Sequence, residues 1–239
     1  KEKLKFVADS VAEFGVEKAH FTTCQTIQFH NLNAEAVCGI MEKALDAGII
    51  TRGGGGDFPR NVMVSPLSGV EEGEYFDVLP YAEAVSDYLL GFIKTVKMPR
   101  KLKVGFSNSP ANETHATFRD LGFAARRDGT FDVYSAGGLG NNPRMGVKVA
   151  AQVPGTELLY YVKAMVDTFV AYGNYENRAK ARTRYMQETL GEEGYKKAYL
   201  EKLEAVKAGG DLSIQVSRQE ILKKGSGTEA SGRRVIPQK

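Results

Sequence analysis

The sequence predicts an α+β protein, on three observations. Apolar residues recur at helical spacing in several separate stretches. Between them lie short runs rich in Thr, Ile, Val and Phe, bounded by Gly, Pro and Asn. An Asp-Gly pair also sits between two runs of strand character, the pattern of a tight hairpin. Taken in order, residues 2–14 put Leu4, Val7, Ala8 and Val11 on one helical face, and Gly15 ends the pattern. HFTTCQTIQFHNL follows as a predicted strand. Asn33 caps a second helix whose apolar stripe is Val37, Ile40, Met41, Ala44 and Leu45, with Gly48 as its stop. RGGGGDF is a loop, NVMVSPL a short strand that must finish at Pro66, and 78–95 a third helix carrying Leu79, Ala82, Val85, Leu89 and Phe92.

A second unit begins after Met98-Pro99. KLKVGFS reads as a strand, GFAARRD and TFDVYSA as a hairpin turning at Asp128-Gly129, and VKVAAQV as a further strand. A long helix follows Pro154, and 175–206 reads as charged helices broken near Gly191. The expected organisation is one unit over 1–95, a second over 96–206, and a linker over 207–239 in which GGDLS and KKGSGTEASG show no periodicity.

Bulk properties exclude several classes. The 239 residues suffice for one large or two modest domains, and 42% hydrophobic with 26% charged residues is ordinary for a globular chain. A net charge of +3 is too mild to point to nucleic acid. The two cysteines, Cys24 and Cys38, form no C-x-x-C, so neither a zinc site nor a self-contained iron–sulfur site is expected, and no metal ligand is assigned. His20, His30 and His115 lack metal-binding spacing, and Ser107 and Ser109 have no visible base. No stretch reaches the ~20 apolar residues of a membrane span, and KEKLKFVADSV is no signal peptide. Few cysteines suit a reducing, cytoplasmic setting. The absence of an initial Met makes the chain read as a fragment.

Four features could carry chemistry. In an extended segment Lys101 and Lys103 share a face, which makes them either solubilising residues of an edge strand or a pair awaiting an anion. Arg60-Asn61 follows a four-glycine run that either lets backbone approach a bulky ligand or forms a plain surface loop. Ala136-Gly137-Gly138-Leu139-Gly140 misses the dinucleotide fingerprint and is a tight turn or a cofactor contact. Arg178, Lys180, Arg182 and Arg184 lie on a predicted basic helix, with Arg178 and Arg182 as i,i+4 neighbours.

These segments, in order, resemble the siroheme-dependent sulfite/nitrite reductase family. FTTCQTIQFHNL is similar to its T-T-R-Q-x-x-Q-x-H strand, GDFPRNVMVSPLSG to its G-D-x-x-R-N-V segment with x-P-L-x-G, and MPRKLKVGFS to its L-P-R-K-x-K strand. DLGFAARRDGTFDVYSAGGLGNNPRMG is similar to its D-L-G-F…GG-G-L-G-x-x-P-x-G stretch, and NRAKARTRYMQETLG to its N-R-x-x-A-R-x-R helix. The resemblance covers about residues 1–206 and implies a ferredoxin-like half domain followed by an α/β sulfite/nitrite-reductase domain with a mixed sheet and long helices. It implies siroheme bridged to a [4Fe-4S] cluster, six-electron reduction of sulfite to sulfide or nitrite to ammonia, and an electron donor such as ferredoxin or a flavoprotein. Nucleic acid and membrane are not implied as partners.

By the family pattern Arg60, Lys101 and Lys103 are the anion-holding cations. Cys24, Gln25, Gln28, His30, Asn61, Gly138, Arg178 and Arg182 fall at or near cofactor-binding positions. Two departures stand out. The family has Arg where this chain has Cys24, so one of its usual four cations is expected to be missing. A charged hydrogen bond is worth roughly 1.5–3 kcal/mol, so anion affinity would fall by about one to two orders of magnitude if nothing compensates. The C-x5-C and C-x3-C cluster ligands are expected in a second half, which makes this polypeptide inactive by itself. The rival expectations are a siroheme-binding paralogue without efficient turnover and a basic RNA-binding module.

Overall fold

The computed structural model describes residues 2–217 and 220–222. Its order is α1 (Glu2–Glu13), β1 (Lys18–Phe21), β2 (Ile27–His30), α2 (Ala34–Asp46), β3 (Met63–Val64), α3 (Leu79–Leu90), β4 (Val104–Ser107), β5 (Leu121–Ala125), β6 (Phe131–Ser135), β7 (Val147–Val153), α4 (Leu158–Tyr172) and α5 (Tyr185–Ala208). Strands β1 and β2 form an antiparallel pair, and the other five form one mixed sheet in the order β3-β4-β5-β6-β7. Pairing is parallel across β3-β4-β5 and antiparallel across β5-β6-β7.

The run expected as one strand over residues 20–32 is a hairpin instead. Thr22 Oγ1 accepts from the Cys24 and Thr26 amides, and the Thr22 amide donates to the Thr26 carbonyl. This folds 22–26 into a turn, with Gln25 at φ 58°. A non-glycine residue there is uncommon, which is why the sequence hid the reversal. The expected Asn33 cap is present, accepting from the Ala36 amide at 2.8 Å. Helix α2 buries Ala36, Ile40 and Ala44, and Gly39 lies under the Phe14 ring, where a side chain would collide. Its other apolar residues, Val37, Met41 and Leu45, face outward.

One face of the large sheet carries the core. Phe106 on β4 stacks on Phe123 of β5 at 4.7 Å, and the edge of Phe131 on β6 meets Phe106, Phe76 and Tyr81. Each such buried ring contributes about 1.5–3 kcal/mol. Helix α4 is apolar around most of its circumference because it packs against α3 and α5, and its Met165 meets Ser135 of β6. Tyr195 and Tyr199 of α5 are fully buried, with their hydroxyls on Ser135 and on the Tyr161 carbonyl. The expected break at Gly191 is a residue at φ 73° and ψ 165° inside α5.

Two expectations change. Strand β3 precedes the 95/96 division and joins the sheet that follows it, pairing Met63 with Gly105. The first residues assigned to the linker do not hang free. Leu212, Ile214, Val216 and Ile221 pack on the core, and the Ile214 amide donates to the Thr156 carbonyl at 3.0 Å. Four apolar side chains in a polar segment supply the reason. The KKGSGTEASG run lies outside the described residues.

Candidate functional site: a cation cluster beside the hairpin

Residues 58–60 run alongside 102, with Leu102 bonded to Phe58 and the Arg60 amide to the Leu102 carbonyl. Sheet pairing thus brings Arg60 next to the Arg100–Lys103 segment. The glycine run then holds the Arg60 head. Its two terminal nitrogens donate to the Gly54 and Gly56 carbonyls, while Nε is buried without a partner. Neutral carbonyls fix the guanidinium and leave its charge unspent. Burial first and then Arg100 lower its pKa, with Cys24 and Asp57 opposing.

Lys101 and Lys103 are both half-buried, and among the described residues neither ammonium has a carboxylate within ion-pair distance. Burial holds the Lys101 pKa below the ordinary lysine value, and Lys103, Arg182, Arg60 and Arg100 push it the same way. Those causes define the cluster: five cations close enough to feel one another.

Carboxylates organise its rim. Asp57 accepts from Arg100 at 3.0 Å and from both terminal nitrogens of Arg178 at 2.8 and 3.2 Å. The Arg178 hydrogen bonds keep the Asp57 pKa below its ordinary value despite partial burial. Asp120, only 1% exposed, accepts from Arg182, the Lys103 amide and the Thr183 hydroxyl. The predicted basic helix over 178–184 is therefore corrected. Residues Arg178–Lys180 form a 3-10 turn, and Arg178 and Arg182 are not helical partners but bind two different aspartates. The Asn174 and Asn177 side chains cap successive amides here and favour a turn over a helix.

The hairpin reaches the sheet through two amides. Gln25 pairs with both backbone groups of Val64, donating at 2.5 Å and accepting at 3.1 Å, as another strand would. Asn61 donates to the Cys24 carbonyl and accepts from Thr26. Gln25, Gln28, His30, Arg60 and Asn61 line one open cavity of about 840 Å³ whose remaining wall is largely apolar. His30 Nε2 is buried there without a partner. Cys24, Lys101, Lys103, Gly138, Arg178 and Arg182 lie outside that lining. Gly138 bridges to Arg144, and a Cβ on it would sit 3.3 Å from the Arg184 side chain.

Sequence reasoning missed Asp57 and Asp120, although both lie inside the G-D and D-L-G-F segments. It also missed Arg119, which no motif singled out. Among the described residues no group of three His, Cys, Asp or Glu could hold a metal ion, and no helix is long and apolar enough to cross a membrane. Cys24 is buried and Cys38 exposed, each without a second thiol beside it. An iron–sulfur cluster therefore does not fit ligands of this chain. A polycarboxylate does fit the site's character: Nε of Arg60, Arg182 and Arg184 and Nε2 of His30 are each buried without a partner.

Fold and site together define an α+β scaffold that gathers under-neutralised cations where a small hairpin unit meets a mixed sheet. The chain belongs to the nitrite and sulphite reductase family: the family described as nitrite and sulphite reductase 4Fe-4S domain matches residues 55–207, and the nitrite/sulfite reductase ferredoxin-like half domain matches 1–47. The assimilatory ferredoxin-dependent nitrite reductase of Haloferax mediterranei is 30% identical over 190 residues, covering 76% of this chain and 32% of that protein. The ferredoxin sulfite reductase of Mycobacterium tuberculosis is 28% identical over 192 residues, covering 79% and 34%. The solved structure of Mycobacterium tuberculosis NirA superposes with a TM-score of 0.74 at 26% identity, over 85% of this chain and 38% of that one. The chain thus spans about a third of the length of these relatives.

Proposed function

We propose that this chain is the part of a siroheme [4Fe-4S] oxidoreductase that holds the substrate anion, in the six-electron reduction of sulfite to sulfide or nitrite to ammonia. The observation that carries this reading is the cation cluster of Arg60, Lys101 and Lys103, none of which has a carboxylate ion pair among the described residues. Siroheme, when bound, supplies the iron through which electrons reach the substrate. Arg60 presents fixed donors to an oxyanion because its other donors are committed to glycine carbonyls. Lys101, whose pKa is already lowered, is the better placed group to give protons to departing oxygens. Gln28 and His30 line the cavity that would take the macrocycle edge, and Arg178 and Arg182 orient the rim through Asp57 and Asp120.

Cluster ligands come from a second half carrying C-x5-C and C-x3-C, and ferredoxin or a flavoprotein delivers the electrons. The division of the chain is best drawn between the two matched segments, with 1–47 as the half domain and 55–207 as the siroheme-facing unit. The test is reconstitution with a polypeptide that carries the cluster cysteines. The combination should show the coupled siroheme–cluster spectrum and reduce sulfite or nitrite with a viologen donor, and the chain by itself should not. Turnover by the chain by itself, or none by the combination, overturns the reading.

A second reading, a siroheme carrier without efficient turnover, is favoured by Cys24. It predicts the coupled spectrum without catalysis. The RNA-binding alternative loses support, because Arg178, Lys180 and Arg182 are paired with Asp57, Glu188 and Asp120.

A further inference from the structure

We infer that Arg119 supplies an oxyanion-binding cation in the place where the family resemblance expects an arginine and this chain has Cys24. The inference rests on the anion-holding reading above and names a residue that no motif contains. Its first support is the route of the side chain. Gly105 on β4 and Gly122 on β5 are directly paired, so their missing side chains leave a shallow trough on one face of the sheet. The 3-10 turn Ala116–Phe118 lies in that trough, and a Cβ on Gly122 would overlap the Ala116 carbonyl. Arg119 follows the turn, and its stem crosses β4 at Gly105, where an added Cβ would lie 3.3 Å from Arg119 Cγ. In extended backbone Gly105 shares a face with Lys103 and Lys101. The stem therefore runs over the face that carries the two lysines.

The second support is charge. Arg119 Nε donates to the Thr114 carbonyl at 2.7 Å, a neutral acceptor that fixes the head without neutralising it. Among the described residues Arg119 has no carboxylate ion pair. The adjacent Asp120 is occupied by Arg182, Thr183 and the Lys103 amide. Burial accordingly lowers the Arg119 pKa.

The third support is the destination. Arg119 and Arg60 each lie within electrostatic range of Cys24. Cys24 is 7% exposed, and its short, uncharged side chain brings no cation of its own. A guanidinium arriving from the 114–119 segment thus takes over the charge that the 22–26 turn does not supply.

The ligand chemistry is an oxyanion, either the substrate or a carboxylate of the tetrapyrrole. Calorimetric titration of the 239-residue chain with sodium sulfite, and separately with metal-free uroporphyrin III, distinguishes the two. Arg119→Met should weaken at least one ligand by about tenfold or more. Adding Cys24→Arg to Arg119→Met should restore the lost affinity to within about threefold. Loss for sulfite alone assigns Arg119 to the substrate, and loss for uroporphyrin alone assigns it to the macrocycle. Arg119→Gln, which keeps a donor for the Thr114 carbonyl, is the second variant and should show the same loss, with circular dichroism checking that each variant is folded. Unchanged binding in the folded Arg119 variants overturns the inference, as does a loss that Cys24→Arg does not rescue. If Arg60→Met and Lys101→Met are also without effect, or the chain binds neither ligand, the anion-holding reading itself fails.

Discussion

One terminal nitrogen of Arg182 lies 3.0 and 2.8 Å from the two oxygens of Asp120, a carboxylate that is 1% exposed. The same carboxylate receives the Lys103 amide at 2.8 Å. One buried charge thus sets the path of the backbone entering β4 and pins the cation that follows α4. Asp120→Ala should lower stability by about 3–5 kcal/mol, because it leaves the Arg182 charge and a buried amide unpaired. Urea denaturation of the two proteins gives the value, and a loss under about 1 kcal/mol would show that solvent replaces the carboxylate.

Lys101 should behave in the opposite sense. Its folded pKa is lowered, so the unfolded chain holds this proton more tightly. The resulting cost is fully present below the folded pKa and is relieved as pH rises from there towards the unfolded value near 10.5. Lys101→Met should therefore raise the melting temperature at neutral pH and flatten its rise in alkaline solution. Added sulfite should stabilise the unsubstituted chain, and Lys101→Met should abolish that stabilisation. Thermal scans between neutral and alkaline pH, with and without sulfite, test both halves of the statement.

Gln25 acts as a detached piece of strand against Val64, so its removal should loosen the hairpin more than the sheet. Gln25→Ala should cost about 1–2 kcal/mol for two backbone-directed hydrogen bonds. Amide exchange should quicken at Val64 and around the 22–26 turn, leaving β5 and β6 protected. A uniform change across the chain would refute this division.

Gly122→Ala tests the trough in the sheet. The added methyl group would overlap the Ala116 carbonyl, and backbone cannot swing aside as a flexible side-chain end can. A loss of about 3 kcal/mol or more is expected. Gly15→Ala meets no atom and is strained only by its φ of 58°, so it should cost about 1–2 kcal/mol. Chemical denaturation of the pair should give that order.

Much of this architecture is legible in the sequence because it rests on local patterns. The spacing of Leu4, Val7 and Val11, the Asn33 cap, the Asp128-Gly129 turn and the Gly191 break each depend on a few neighbouring residues. The 22–26 turn stayed hidden because its left-handed residue is Gln25, not a glycine. Arg178 and Arg182 read as helical neighbours because the aspartates that claim them, Asp57 and Asp120, lie 121 and 62 positions away. Lys101 and Lys103 could be paired from strand alternation. Their isolation from carboxylates could not, since it depends on which partners the fold leaves over. Arg119 was invisible for the same reason: its meaning comes from two glycines on separate strands.

The outward stripe of Val37, Met41 and Leu45 on α2 has a further consequence. It lies on a unit whose β1 strand is exposed along its whole length and whose helices bury little more than Ser10, Ala36, Ile40 and Ala44. Free energy is therefore spread unevenly along the chain. In native-state hydrogen exchange the first 47 residues should open at a small fraction of the global unfolding free energy, while Phe106, Phe123 and Tyr199 report the full value. The cavity and the neighbouring cation cluster lie on either side of that gradient, with Gln28 and His30 on the soft side and Lys101 and Lys103 on the firm one. Ligand bound across it would act as a clasp, lending the N-terminal unit the rigidity that its own packing does not provide.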